Sequence, residues 1–419
     1  MKRTDWFEKA RFGMYIHFGL YSLLERGEWV MYAERIPPHE YKKLADKFNP
    51  VNADTDSWAK LARDAGMKYM CLTARHHDGF CLYDSKVSDF TSVKTAAKRD
   101  FVAEYVRSCR KFGLKVGLYY SLLDWRFPGY FLGPKKAPES NKAMIGQLHE
   151  QMRELMTNYG KIDYLNYDGE WLRTDNFKRE FNSKGESPLA KYWRARELSN
   201  MVRKLQPQIV INNRSGLRED FDTPEQMITP SENGRLWESC MTIGDSCGWG
   251  YIRNMPNMKS VPQLIQYLVT CVSGGGNYIL NIGPKPDGSV RKEETQRLEE
   301  IGRWLKKNGE SIYGCGKIPR GFGGDWGAGM LGMSTAKGNT VYMHIFRWPG
   351  NTATIPGIKN KVVSARILAT GQEVKAETTG NGLVHLTGLP VRPPDKYDAV
   401  IKLVLDGKPD AYRYEEIPL

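Results

Sequence analysis

Ile162-Asp163-Tyr164-Leu165-Asn166-Tyr167-Asp168 is an apolar, β-prone run that stops on a carboxylate, and Gly169-Glu170-Trp171 follow at once. In parallel β/α proteins chemistry gathers at the carboxyl ends of the strands. A carboxylate held there can act as nucleophile or base. The competing reading is a helix N-cap, a role Asp fills well. Other strand-like runs also end on polar groups: Ile16-His17-Phe18-Gly19, Arg75-His76-His77-Asp78, Tyr119-Tyr120-Ser121, Asn212-Asn213-Arg214 and Trp237-Glu238. Gly274-Gly275-Gly276-Asn277 opens a last run that closes on Asn281-Ile282-Gly283-Pro284. These ends converge if the strands share one barrel mouth.

His17, His76, His77 and Asp168 are residue types that bind zinc or iron. The spacing has no i, i+4 pair on a helix, and adjacent histidines on a strand point to opposite faces unless the chain has already turned. The set reads better as neutral donors and acceptors for sugar hydroxyls, with no metal and no cofactor. For either histidine alone, a buried, hydrogen-bonded core residue is the plain alternative. Gly274–Gly276 lacks the Lys-Ser/Thr of a phosphate loop, so its glycines read as close backbone approach before a strand.

The elements that must position these residues alternate. Strands are predicted over Phe12–Phe18, Lys68–Ala74, Lys115–Ser121, Ile162–Asp168, Gln208–Asn213, Leu236–Met241 and Asn277–Gly283. Helices are predicted over Thr55–Ala65, Asp100–Phe112, Asn141–Tyr159, Leu189–Leu205, Ser260–Val272 and Glu293–Asn308. Alternation of this kind specifies a parallel sheet with crossover helices. Seven strands are legible and the eighth is not; a (β/α)8-like, TIM-type barrel is the economical fold. After Gly314 the pattern changes to short alternating runs at Thr340–Phe346, Val362–Ala369, Leu383–Leu386 and Asp398–Leu405, the signature of an antiparallel β-sandwich. The expected domains are a barrel over 1–315 and a C-terminal β-sandwich over 325–419.

Composition narrows the classes further. The net charge of +13 is dispersed beside acidic residues with no block of like charge, which argues against nucleic acid. No apolar run spans a membrane, and the first residues lack the apolar core of a signal peptide. The expected location is cytoplasmic, or periplasmic or secreted if a leader was removed. The seven cysteines contain no CxxC pair and read as buried thiols rather than a disulfide framework. The 11 Trp and 22 Tyr supply rings that stack on sugars. Partners are then a glycan substrate, with room for a homo-oligomer.

Several stretches together resemble the α-L-fucosidases of glycoside hydrolase family 29, over essentially the whole chain. They are Trp6-Phe7 with Lys9-Ala10-Arg11-Phe12-Gly13, Ile16-His17-Phe18-Gly19, Glu28-Trp29, His76-His77-Asp78-Gly79-Phe80 and Gly117-Leu118-Tyr119-Tyr120-Ser121. They continue through Tyr167-Asp168-Gly169-Glu170-Trp171, Trp237-Glu238-Ser239-Cys240-Met241, Trp249-Gly250-Tyr251 and the Gly274–Pro284 stretch. The resemblance implies a catalytic barrel followed by a β-sandwich. It also implies an exo-acting, retaining hydrolase that removes terminal α-L-fucosyl residues from fucosylated oligosaccharides or glycoconjugates through two carboxylates. It places the nucleophile on Asp168 and sugar binding on His17, Glu28, Trp29, His76, His77, Tyr119, Arg214 and Trp249. The loop Asp220-Phe221-Asp222-Thr223-Pro224-Glu225 resembles the one that often carries the acid/base, so Glu225 is the choice, with Glu238 as competitor and as a residue that positions the pocket. Two departures touch the pocket wall: Asn166 stands where the family usually has an aromatic residue, and Ser246-Cys247-Gly248-Trp249-Gly250-Tyr251 carries an insertion. The alternatives are an inactive carbohydrate-binding protein on the same scaffold and a related barrel glycosidase such as an α-galactosidase.

Overall fold

The structure is a computed structural model that describes residues 2–172, 179–245, 248–319, 321–322, 331–380 and 382–412. Eight parallel strands form a ring: β1 Phe12–Ile16, β2 Tyr69–Arg75, β3 Lys115–Ser121, β4 Tyr164–Asp168, β5 Val210–Ile211, β6 Phe221–Asp222, β7 Leu236–Thr242 and β8 Asn277–Ile282. Neighbours run β5-β4-β3-β2-β1-β8-β7-β6, and a single parallel bridge between Asn212 and Phe221 spans the remaining gap. The strand absent from the sequence reading is β6. It is two residues long, too short for any periodicity to register, and it lies in the loop that leads to Glu225.

Side chains alternate across each strand. Phe12, Met14 and Ile16 face out and pack beneath the helices, whereas Tyr15, Tyr69, Cys71, Tyr119, Tyr164, Cys240 and Ile279 fill the barrel interior. The interior closes because small residues sit beside large ones. A Cβ at Gly13 would enter the Tyr69 ring, and one at Gly117 would enter the Tyr164 ring and the Met70 carbonyl. The helix Asp5–Ala10 plugs the lower end, where Phe7 stacks 4.7 Å from Phe221.

Seven antiparallel strands follow: β9 Gly332–Lys337, β10 Thr340–Ile345, β11 Thr352–Ile355, β12 Val362–Ile367, β13 Glu373–Thr378, β14 Val384–Thr387 and β15 Ala399–Leu405, in the order β11-β14-β13-β12-β15-β10-β9. β13 pairs with β12 through Glu373 and Val374 and with β14 from Lys375 to Thr378, so the sheet turns a corner along it. This unit seats on the barrel through Trp304, whose Nε1 donates to the Asp398 carbonyl at 2.9 Å, while Asp398 also meets His344 Nδ1 at 2.6 Å. The expected start of the second domain, at 325, lies outside the described residues. Six cysteines (71, 81, 109, 240, 271 and 315) are buried free thiols, and Cys247 lies outside the described residues. Among the described residues no helix is long and apolar enough to cross a membrane.

The helix Lys292–Asn308 crosses Thr55–Asp64 at Gly302, where a Cβ would collide with the Asp64 carbonyl oxygen. Gly302→Ala forces the helices apart, and overpacking of this kind costs about 1–3 kcal/mol. The variant is expected to unfold at lower temperature in calorimetry. An unchanged melting temperature would show that the crossing is not close-packed.

Candidate active site

Asp168 ends β4, and among the described residues the next helix begins at Ala195, so the carboxylate caps no described helix. Gly169 takes φ 74, and a Cβ there would press on Ser121 Oγ and Leu123, so the chain turns tightly over the end of β3. Asp168 Oδ1 accepts from Arg214 Nη1 at 3.0 Å, and Oδ2 accepts from Tyr119 Oη at 3.1 Å. His77 Nε2 lies 3.7 Å from Oδ2. Burial alone would raise the Asp168 pKa, but Arg214 and then His77 more than offset it and hold the carboxyl below its usual range.

The same Arg214 Nη1 lies 2.8 Å from Glu225 Oε2. One nitrogen thus joins the two carboxylates, and by the triangle inequality their nearest oxygens are separated by less than about 6 Å. That upper bound admits the ~5–5.5 Å of retaining glycosidases and lies short of the ~6.5–9.5 Å of inverting ones. The guanidinium is itself fixed: Nε donates to Thr223 Oγ1 at 2.8 Å and Nη2 to the Thr223 carbonyl at 3.0 Å. Glu225 Oε1 accepts from Trp249 Nε1 at 3.2 Å, and its side chain is 40% exposed, at the pocket mouth. Thr223 and Glu225 stand just past β6, and Glu225 bridges to Cys240 on β7.

β2 ends at Arg75, so the chain has turned before the two histidines, and Gly79 at φ 78 completes the bend. Both imidazoles therefore lie on the pocket side with ring centroids 4.1 Å apart. His77 Nδ1 meets Ser121 Oγ at 2.6 Å, and His76 stacks on Tyr119. His17 Nδ1 lies 2.7 Å from Asn281 Oδ1, whose amide is oriented by its Nδ2 bond to the Trp249 carbonyl. Nδ1 of His17 is then the donor, and Nε2 is left as an acceptor. Burial pushes His17 and His77 down to about 4, against the Asn281 bond and the Asp168 charge respectively, and pushes His76 well below its ordinary value. All three are neutral near pH 7. Among the described residues no three His, Cys, Asp or Glu side chains converge on a common point fit for a metal ion.

These side chains wall a cavity of about 70 Å³. At ~10–15 Å³ per water, that is room for the few waters one sugar ring displaces. Of the expected residues, His17, Trp29, His76, Tyr119, Asp168, Arg214, Glu225 and Trp249 line it. Glu28, His77 and Glu238 are not among its lining residues. Glu28 Oε2 accepts the backbone N–H groups of Trp249 and Gly250, both at 2.7 Å, so it pins the Trp249 loop from behind; burial raises its pKa to about 7 despite those bonds. Glu238 sits lower inside the barrel, fully buried, accepting from Tyr164 Oη at 2.5 Å and from Tyr69 Oη. Burial also raises it to about 7.

Tyr15, Asn166, Trp171, Thr223 and Cys240 also line the cavity. Period-two spacing from His17 and Asp168 locates Tyr15 and Asn166; no local signal locates Trp171 or Thr223. Asn166, the departure in the motif, donates to Tyr164 Oη at 2.8 Å and accepts from Asn212 at 3.1 Å, so its amide joins the polar chain that reaches Glu238. Of the insertion before Trp249, Ser246 and Cys247 lie outside the described residues, and Gly248–Tyr251 are described.

Residues 1–310 match the family model described as alpha-L-fucosidase. The tissue alpha-L-fucosidase of Homo sapiens is 30% identical over 375 residues, covering 83% of this chain and 76% of that protein. Alpha-L-fucosidase isoenzyme 1 from Paenibacillus thiaminolyticus superposes with a TM-score of 0.83 at 37% identity, over 96% of this chain and 99% of that one. A family 29 alpha-L-fucosidase from Bacteroides thetaiotaomicron, solved as a trapped covalent intermediate with 2-fluoro-fucosyl fluoride, superposes with a TM-score of 0.84 at 28% identity, over 97% of this chain and 96% of that one. The chain, with its eight-stranded barrel, its C-terminal antiparallel sandwich and its two-carboxylate pocket, belongs to the alpha-L-fucosidases of glycoside hydrolase family 29.

Proposed function

We propose that this protein is an exo-acting, retaining α-L-fucosidase in which Asp168 is the nucleophile and Glu225 the general acid/base. The observation that carries the assignment is Arg214 Nη1, shared between one oxygen of each carboxylate. Residues 1–315 form the catalytic unit, because every cavity residue falls between Tyr15 and Trp249. The sandwich, assigned to 325–419, buttresses the barrel through Trp304 and Asp398.

In the first step an Asp168 oxygen forms a bond to the anomeric carbon as the bond to the aglycone oxygen breaks. Glu225 gives that oxygen its proton, leaving a β-linked fucosyl ester. A water then attacks the same carbon and gives its proton to Glu225. The ester bond breaks, the Asp168 carboxylate returns, and α-L-fucose leaves. The low pKa of Asp168 keeps it ionised for attack. The neutral imidazoles of His17 and His76 offer one donor or acceptor each to ring hydroxyls, while His77 holds the nucleophile side from behind. The Trp249, Tyr15 and Tyr119 rings supply apolar surface for the methyl group at the sixth carbon. The trapped covalent intermediate of the Bacteroides relative supports the double displacement.

Asp168→Ala is expected to lose nearly all turnover of an aryl α-L-fucoside while keeping its fold, and azide should restore turnover as a β-fucosyl azide. Proton NMR of the wild-type reaction should show α-L-fucose first. Wild-type activity in the variant, or initial release of the β-anomer, removes the assignment.

Glu225→Ala separates the two glutamates. General acid–base catalysis contributes about 10²–10⁴-fold. A fucosyl disaccharide should become nearly inert, whereas a dinitrophenyl fucoside, whose leaving group needs little protonation, should still form the fucosyl-enzyme. Glu238→Gln should weaken both substrates to a similar degree. Leaving-group dependence in the Glu238 variant and not in the Glu225 variant reverses the roles.

Activity requires ionised Asp168 and falls as the pH drops through its pKa. Arg214 lowers that pKa, so Arg214→Met should move the acid limb of the kcat/KM profile to higher pH. An acid limb that stays in place would mean that another group sets it.

A further inference from the structure

Beside the catalytic pocket lies a wider groove of about 550 Å³, walled by Tyr32, Arg35, Ile36, Pro37, Trp125 and Phe131 among others. It is built from the short helix Val30–Ala33, the turn that follows it and the helix Pro128–Lys136. The groove begins where the pocket ends. Trp29 is 38% exposed and forms part of the pocket wall, and its ring centroid lies 5.7 Å from Tyr32 and 5.2 Å from Trp125, both on the groove. The Trp29 indole therefore packs between the pocket and the rings that wall the groove. Beyond it Tyr32 and Phe131 stack with centroids 6.5 Å and planes 10° apart, and the apolar side of a sugar ring packs on the outer surface of such an aromatic pair.

The charge of the groove is also one-sided. Among the described residues no acidic side chain lines it. Arg35 is exposed, makes no ion pair among the described residues, and is held by a left-handed backbone at φ 52 that a non-glycine residue rarely adopts. The adjacent Glu34 is taken up by Arg26, through bonds of 2.5 and 2.7 Å.

We propose that this groove is the binding site for the aglycone of an acidic fucosylated oligosaccharide: sugar rings beyond the fucose lie on Tyr32, Trp125 and Phe131, and a carboxylate or sulfate on them meets Arg35. The proposal rests on the fucosidase reading, since a pocket that buries one terminal fucose must leave the rest of the glycan outside, across the rim that Trp29 forms. It names Arg35 and Phe131 as specificity determinants that never touch the reacting atoms.

The test compares an aryl α-L-fucoside, a neutral fucosylated trisaccharide, and the same trisaccharide bearing either a sialic acid or a sulfate. Phe131→Ala should reduce kcat/KM for all three oligosaccharides about tenfold, mainly through KM, with the aryl fucoside unchanged. The wild type should prefer the acidic oligosaccharides, and Arg35→Gln should erase that preference, about two- to fivefold; 0.5 M salt should erase it too. A preference for the sialylated probe alone assigns the carboxylate, and for the sulfated probe alone the sulfate. Equal kcat/KM for acidic and neutral oligosaccharides in the wild type overturns the role of Arg35. Oligosaccharide kinetics untouched by Phe131→Ala, or a parallel fall with the aryl fucoside, overturns the groove. Calorimetric binding of the acidic trisaccharides to Asp168→Ala, weakened by adding Phe131→Ala, tests the groove without turnover. Failure of the wild type to cleave the aryl fucoside would instead count against the pocket reading.

Discussion

One guanidinium holds the catalytic arrangement together. Arg214 Nη1 lies within hydrogen-bond distance of both Asp168 and Glu225, and the rest of the arginine is spent on Thr223. Two carboxylates at this separation repel in a buried site. A cation between them lets both persist, and its planar fork fixes where they stand. The barrel makes the arrangement possible because Asp168 ends β4, Arg214 follows β5, and Thr223 with Glu225 follows β6. Three successive strand ends deliver the three partners to one point, although β5 and β6 are only two residues each. Their junction carries a single ladder bridge, Asn212 to Phe221, with Asp220 and Asp222 bonded to Ile211 and Asn213 beside it. The Arg214–Thr223 and Arg214–Glu225 contacts tie together the same two loops that the short strands barely join.

Around this centre, burial does most of the electrostatic work. It drives His17, His76 and His77 neutral, so none of them adds a positive charge beside Arg214 and Asp168. It also drives Glu28 and Glu238 toward the neutral form. A buried carboxyl is costly unless its oxygens are bonded, and both have been given positioning tasks. Glu28 receives two backbone N–H groups from a loop 221 residues away and so sets the Trp249 ring against His17. Glu238 gathers two tyrosine hydroxyls across the barrel axis, beneath the sugar site. These groups shape the pocket without lining it.

Most of the barrel was legible because its strands are long, apolar and separated by amphipathic helices. The failures have a physical pattern. β6 has no room for a period. In the C-terminal unit β9 and β13 escaped because their alternation is weak, β13 burying only Val374 fully among charged and threonine neighbours, and β11 because its alternation lasts only four residues. The strand-end residues were legible as a set, and the motif resemblance singled out Asp168, Arg214 and Glu225. What the chain could not disclose was depth. Nothing local distinguishes Glu28 and His77, which stand behind the pocket wall, from His17 and His76, which form it, because depth depends on how far each strand extends before it turns. Tyr15 and Asn166 were recoverable by counting back two from a known pocket residue, but Trp171 and Thr223 sit on loops, where no period applies.

The two candidate glutamates show why depth decides chemistry. Glu225 and Glu238 lie on adjacent elements, and Glu225 bridges directly to Cys240, two residues past Glu238. Their sequence contexts are equally suggestive. A general acid must deliver a proton to a departing group and recover one from water, so it needs reach to the aglycone and a path to solvent. Glu225 has both, with its side chain 40% exposed at the mouth and one oxygen on the same guanidinium as Asp168. Glu238 has neither: it is sealed at 0% exposure, and each of its oxygens is already engaged by a tyrosine. Protonation of Glu238 would exchange its proton with phenols that stay buried, not with a leaving group. The same residue type, one step lower on the neighbouring strand, thus changes from a carboxylate open to the pocket mouth and to solvent to one enclosed beneath the pocket.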